Sequence, residues 1–165
     1  MRKTAFLYIE RSRNVQKSEK SIIFEYNIEF LSKKNLHYDY VRTCVGTGGT
    51  LAGIAASLFG TKTKLLGFSV LKNGYFLYQE VFDLLQKAGI KLSQPFELVL
   101  DYHFGGYGKH KPALLEFIKN FSSDTKLPIE PVYTGKLFFG VSASTKLNRR
   151  LYFCKNLKNK IFSKY

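Results

Sequence analysis

The chain has 165 residues, 45% of them hydrophobic and 23% charged, with a formal net charge of +14. That length suits about one domain with a real core, and that balance excludes a disordered chain. No apolar run approaches the ~20 residues of a membrane span, and the run 5–9 is too short for the core of a signal peptide, so the sequence reads as soluble, cytoplasmic and without a membrane partner.

The positive charge is uneven. Residues 1–20 carry six Lys/Arg against Glu10 and Glu19, residues 146–165 carry seven against no acid, and only +3 remains for everything between. The expected organisation is therefore a basic, poorly ordered segment over 1–20, an α/β domain over 21–145, and a basic tail over 146–165. Basic ends can bind phosphate backbones, which gives the competing function of a small nucleic-acid-binding protein. No binding motif supports that reading, and the aromatic residues lie in apolar periodic segments rather than among the Lys/Arg clusters. Nucleic acid is not the expected partner.

In chain order, residues 1–20 show no sustained periodicity and promise no core structure. Phe24, Ile28 and Leu31 recur at helical spacing, predicting an amphipathic helix over 22–34. Residues 38–45 follow as a strand. Residues 51–59 are small or apolar all round, the pattern of a buried helix, with Gly60 where a C-cap belongs. Residues 64–70 read as a buried strand, and Asn73-Gly74 breaks the chain. Leu77, Val81 and Leu84 then line one face of a helix stopped by Gly89. A strand is expected over 96–102, a glycine-rich loop over 104–109, and a helix from Pro112 to about Phe121 with Leu114, Phe117, Ile118 and Phe121 on one face. A proline-stiffened loop covers 125–135, and an apolar segment, helical in character, begins at Lys136. Strand–helix alternation of this kind makes a parallel sheet with flanking helices.

The turn Gly46-Thr-Gly-Gly-Thr50 joins the first of those strands to the buried helix. Its glycines let a ligand approach the main chain, and Thr47 and Thr50 set hydroxyls beside the free N–H groups of a helix N-terminus, where the dipole favours an anion. A glycine cluster alone serves equally well as a tight turn. Its place beyond the carboxyl end of a strand in an α/β sheet favours the phosphate cradle. No Gly-Lys-Ser/Thr follows, so it is no P-loop; Leu51 stands where a dinucleotide fingerprint needs glycine. What remains is a monophosphate held by amides and hydroxyls, as pyridoxal phosphate can be.

The run Gly46-Thr-Gly-Gly-Thr-Leu-Ala-Gly53 resembles the phosphate loop of pyridoxal-phosphate enzymes of the tryptophan-synthase-β fold type (fold type II). With Gly106-Tyr107-Gly108 and Leu127-Pro-Ile-Glu-Pro-Val-Tyr133-Thr134-Gly135-Lys136, in that order, the chain resembles the 1-aminocyclopropane-1-carboxylate deaminase and D-cysteine desulfhydrase family over roughly 39–140. The resemblance implies the C-terminal part of that family's large domain and a small amino-acid substrate. It implies that Gly46, Thr47, Gly48, Gly49 and Thr50 hold the cofactor phosphate, that Tyr107 and Tyr133 are the two active-site tyrosines, and that Thr134 faces the pyridine nitrogen. Enzymes of the family that open the cyclopropane ring have glutamate at that last position, so Thr134 tilts the expected substrate toward D-cysteine.

The resemblance stops at both ends. The family's Schiff-base lysine lies in an N-terminal portion with no counterpart here, and Lys3, Lys17 and Lys20 lack its flanks; its His-Thr-Gly-Gly turn is not matched after Thr145. The non-matching ends are the basic ones, as a truncated or frameshifted reading frame would leave. The expectation is a fragment without the anchoring lysine, inactive alone, pairing with a missing N-terminal half or with itself. His103 and His110 have no partners at metal-ligand spacing and read as surface or packing residues. Cys44 reads as a buried strand residue rather than a nucleophile.

Overall fold

The computed structural model describes residues 4–8, 39–58, 60–90, 96–144, 151–155 and 161–164. In order, its elements are β1 Thr4–Tyr8, β2 Tyr40–Val45, α1 Gly49–Ser57, β3 Lys64–Ser69, a short 3₁₀ turn Gly74–Phe76, α2 Leu77–Lys87, β4 Glu97–Val99, α3 Pro112–Thr125, α4 Thr134–Ser144, β5 Leu151–Lys155 and β6 Ile161–Lys164. They form one sheet in the order β4-β3-β2-β1-β5-β6. Every neighbouring pair is parallel except β5 with β6.

The two-residue period of the strands sorts their side chains onto two cores. Val41, Val45 and Leu65 face α1 and α2, packing with Leu51, Ile54, Leu77, Val81 and Leu85. Cys44, Leu66 and Phe68 face the other way, onto Leu137, Phe138 and Val141 of α4 and Phe117 and Phe121 of α3. The architecture is helix–sheet–helix, the α/β arrangement the alternation predicts. No helix among the described residues is long and apolar enough to cross a membrane.

Gly67 of β3 sets how closely α1 can lie on the sheet. A Cβ there would stand 2.7 Å from Val45 Cγ2 and 2.9 Å from Leu51 Cδ2. Gly67→Ala is therefore expected to destabilise the chain by about 1–3 kcal/mol, the usual cost of overpacking, read as a lower urea midpoint at unchanged slope. At the end of α2, the Gly89 N–H donates to the Gln86 carbonyl and the Ile90 N–H to the Leu85 carbonyl. That is a Schellman ending with Gly89 at φ +71, the stop its position predicts.

Five expectations need correcting. Residues 1–20 promise no core structure, yet Thr4–Tyr8 is an inner strand between β2 and β5; an inner parallel strand needs only a short continuous apolar run, too brief to show periodicity. The basic tail likewise contains β5 and β6, whose apolar runs, 151–154 and 161–162, are short and separated by lysines. The helix from Pro112 continues to Thr125, whose hydroxyl donates to the Phe121 carbonyl at 2.7 Å before Lys126 turns left-handed at φ 60. The strand expected over 96–102 is confined to Glu97–Val99, and the apolar segment from Lys136 is a helix already begun at Thr134. The helix predicted over 22–34 lies outside the described residues.

Candidate cofactor site

The phosphate-cradle residues sit between the carboxyl end of β2 and the start of α1. Gly48 is the N-cap, left-handed at φ 85 and ψ −18; a Cβ there would also come within 2.9 Å of Val81 Cγ2, so glycine is required twice over. The first helical bond runs from the Ala52 N–H to the Gly48 carbonyl at 2.9 Å. Among the described residues no side chain caps this terminus, and its first turn holds no acidic residue. The leading N–H groups of a helix have no partner inside it, and among the described residues nothing within 4 Å occupies the space a Gly49 side chain would fill. Thr47, in the turn, is exposed, and Thr50, the second residue of α1, is half-buried. The donor set, uncapped amides with two hydroxyls nearby, fits a phosphate group.

Tyr133 closes one side. Its hydroxyl oxygen is 3.1 Å from where a Gly46 Cβ would stand, so the glycine admits the phenol to the strand end. Tyr107 meets Tyr133 edge to face, with ring centroids 5.9 Å apart at 73°. Burial, and then the hydrogen bond the Tyr133 hydroxyl makes to Tyr107, pushes the Tyr133 phenol up to about 12. At neutral pH Tyr133 is a neutral hydrogen-bond donor, not a base.

The turn before α4 holds Tyr133 in place through Glu130. One carboxylate oxygen accepts from the Tyr133 and Thr134 N–H groups at 2.8 and 2.7 Å, and the other accepts from the Val132 N–H at 2.6 Å. The Glu130 carbonyl takes the Gly135 N–H at 2.7 Å. Thr134 is buried, and its hydroxyl oxygen accepts the Glu130 N–H at 2.9 Å while lying 3.2 Å from Glu130 Oε1.

Sequence reasoning assembled part of this. Gly46, Tyr107 and Tyr133 come together in one chain of contacts, whereas Gly48 packs on Val81 and Glu80 of α2 and the Thr134 hydroxyl is engaged by Glu130. Two residues went unassigned. Glu130 carries no signature beyond standing shortly before a helix. Lys136 carried a usable one: α4 is buried nearly all round, and a lysine in a helix without a polar face must itself be buried. His103 is not idle either, since its Nδ1 accepts the Gly105 N–H at 2.9 Å and shapes the loop that carries Tyr107.

No family model matches the chain. A Pyrococcus furiosus protein, provisionally named a 1-aminocyclopropane-1-carboxylate deaminase, is 34% identical over 113 residues, 64% of this chain and 34% of that protein. The Arabidopsis thaliana bifunctional D-cysteine desulfhydrase/1-aminocyclopropane-1-carboxylate deaminase is 32% identical over 111 residues, 65% of this chain and 27% of that protein. A crystal structure of an ACC deaminase homologue superposes with a TM-score of 0.69 at 25% identity, covering 81% of this chain and 44% of the other. The chain is a relative of the ACC deaminase/D-cysteine desulfhydrase family. The cofactor of that family is pyridoxal phosphate, and the fold is its fold type II α/β architecture. The chain spans about a third of the length of the curated relatives it matches.

Proposed function

We propose that this chain is the phosphate-binding part of a pyridoxal-phosphate-dependent deaminase or desulfhydrase acting on a small amino acid, with D-cysteine the favoured substrate. The observation that carries the reading is the uncapped, open N-terminus of α1 at Gly48 and Gly49, flanked by the Tyr133–Tyr107 pair. In this reading the amides of the 46–50 turn and the Thr47 and Thr50 hydroxyls bind the cofactor phosphate. Tyr133, kept neutral, donates a hydrogen bond toward the cofactor or substrate, and the exposed Tyr107 stands at the mouth of the site. Bound pyridoxal phosphate supplies an electron sink for charge developing at the substrate α-carbon. Thr134, whose hydroxyl is engaged by Glu130, stands at the position where the resemblance puts a carboxylate in ring-opening enzymes, and the lack of that carboxylate favours β-elimination over ring opening.

Two titrations test this. Pyridoxal phosphate should bind at least ~10-fold more tightly than pyridoxal, the worth of one charge-assisted hydrogen bond, and inorganic phosphate should compete; equal affinities would sink the reading. Gly49→Asp puts a carboxylate into the open cradle and should weaken pyridoxal phosphate by ~10-fold or more. The same change should raise stability by about 1 kcal/mol, because it replaces a helical glycine and sets an acid on the positive end of α1. Weakened binding in a more stable protein separates a lost site from a lost fold.

A further inference from the structure

Lys136 is a fully buried side chain, and its ammonium lies inside the protein. Nζ donates to the Gly106 carbonyl at 2.7 Å and points at the Val70 carbonyl at 3.5 Å. Burial lowers its pKa while the Glu130 carboxylate acts in the opposite direction, favouring the charged form. Burying a cation is costly, and among the described residues its polar contacts are these two carbonyls, so they are where its effect must be sought.

Gly106 belongs to the loop that carries Tyr107. Phe104, Gly105, Gly106 and Gly108 all have positive φ, at 55, 105, 119 and 68°, a conformation that local preference alone does not hold for Phe104. The loop's backbone bonds are short-range: the Gly105 N–H to His103 Nδ1, the Gly106 N–H to the His103 carbonyl and the Lys109 N–H to the Gly106 carbonyl. Lys136 makes a bond of another kind, reaching across 30 residues to the same Gly106 carbonyl while lying against Val70 at the end of β3. Phe104 adds an edge contact to Phe139 of α4 at 4.9 Å, which anchors the loop's start but not Tyr107.

We propose that Lys136 is a positioning residue: its buried ammonium ties the Gly106 carbonyl to the end of β3 and so holds Tyr107 edge-on against Tyr133. The relevance to catalysis rests on the function proposed above; the tether itself does not.

Lys136→Met keeps the length of the side chain and removes its donors. In the full chain without cofactor, amide exchange in β2 and β3 should stay as in the unmodified protein, while the Gly106 and Lys109 amides lose protection roughly 10- to 100-fold, the worth of a hydrogen bond from a charged donor. Nuclear Overhauser contacts between the Tyr107 and Tyr133 rings should vanish, and the Tyr133 phenol should titrate below its value in the unmodified protein. A folded Lys136→Met that keeps loop protection and the ring contact overturns the proposal. Should that variant fail to fold, the deciding measurement is made on the unmodified protein near neutral pH: slowly exchanging Lys136 ammonium protons with Overhauser contacts to Gly106 support the tether, and ammonium protons that exchange as freely as those of exposed lysines overturn it. None of these readings involves pyridoxal phosphate, so a failure of cofactor binding is a separate result.

Discussion

Glu130→Ala is expected to lower stability by about 3–5 kcal/mol and to abolish ordering of the Tyr133 turn. The carboxylate accepts three backbone N–H groups, those of Val132, Tyr133 and Thr134. A hydrogen bond to a charged partner contributes about 1.5–3 kcal/mol, and a buried donor left unpaired loses its full solvation; because Glu130 is half-buried, water recovers part of the sum. The carboxylate also sits at the N-terminus of α4, where the helix dipole favours it. Glu130→Gln separates geometry from charge. Its carbonyl can still accept from Tyr133 and Thr134, but its NH₂ would oppose the Val132 N–H, so a smaller loss of about 1–3 kcal/mol is expected. Urea unfolding of the three proteins checks the order. If alanine costs no more than glutamine, the carboxylate is not what holds the turn, and Tyr133 owes its place at Gly46 to packing alone.

The same residues explain what could be read from the sequence. The cradle was legible because its chemistry is backbone chemistry: glycines after an apolar strand and before a small-residue helix leave few alternatives, and the failure of two known phosphate patterns narrowed them further. Tyr107 and Tyr133 were legible only through their flanks, since a tyrosine in a tyrosine-rich chain carries little information alone. Glu130 and Lys136 were not assigned because each acts on main-chain groups far from any pattern: Glu130 on amides two to four residues on, Lys136 on a carbonyl 30 residues away. The inner strand Thr4–Tyr8 escaped for a different reason. Five residues hold too little sequence to show a period, and the lysines and arginines around them dominate the composition.

Raising the pH from 9 to 12 is expected to remove about 3–4 kcal/mol of stability through Cys44 alone. Burial, opposed by a backbone hydrogen bond and reinforced by Glu130, pushes its thiol from 9.0 up to about 12. In the unfolded chain the thiol ionises near 9, whereas in the folded chain it keeps its proton. Between those values the folded state binds more protons, so stability falls by about 1.36 kcal/mol per pH unit, and the contribution is intact below pH 9. Tyr133 adds a loss of the same sign between 10 and about 12. Lys136 works the other way: with its folded pKa lowered, stability gains as the pH rises through that value toward 10.5. Cys44→Ala isolates the thiol. It should cost about 1 kcal/mol at pH 7 from lost packing and flatten the alkaline decline, so that the variant becomes the more stable protein well before pH 12. Parallel stability curves for the two proteins would show that Cys44 ionises as readily folded as unfolded. A thiol that stays protonated beside Tyr133 is also a poor nucleophile, so slow alkylation of Cys44 in native protein at pH 8, against rapid alkylation in urea, is the matching chemical result.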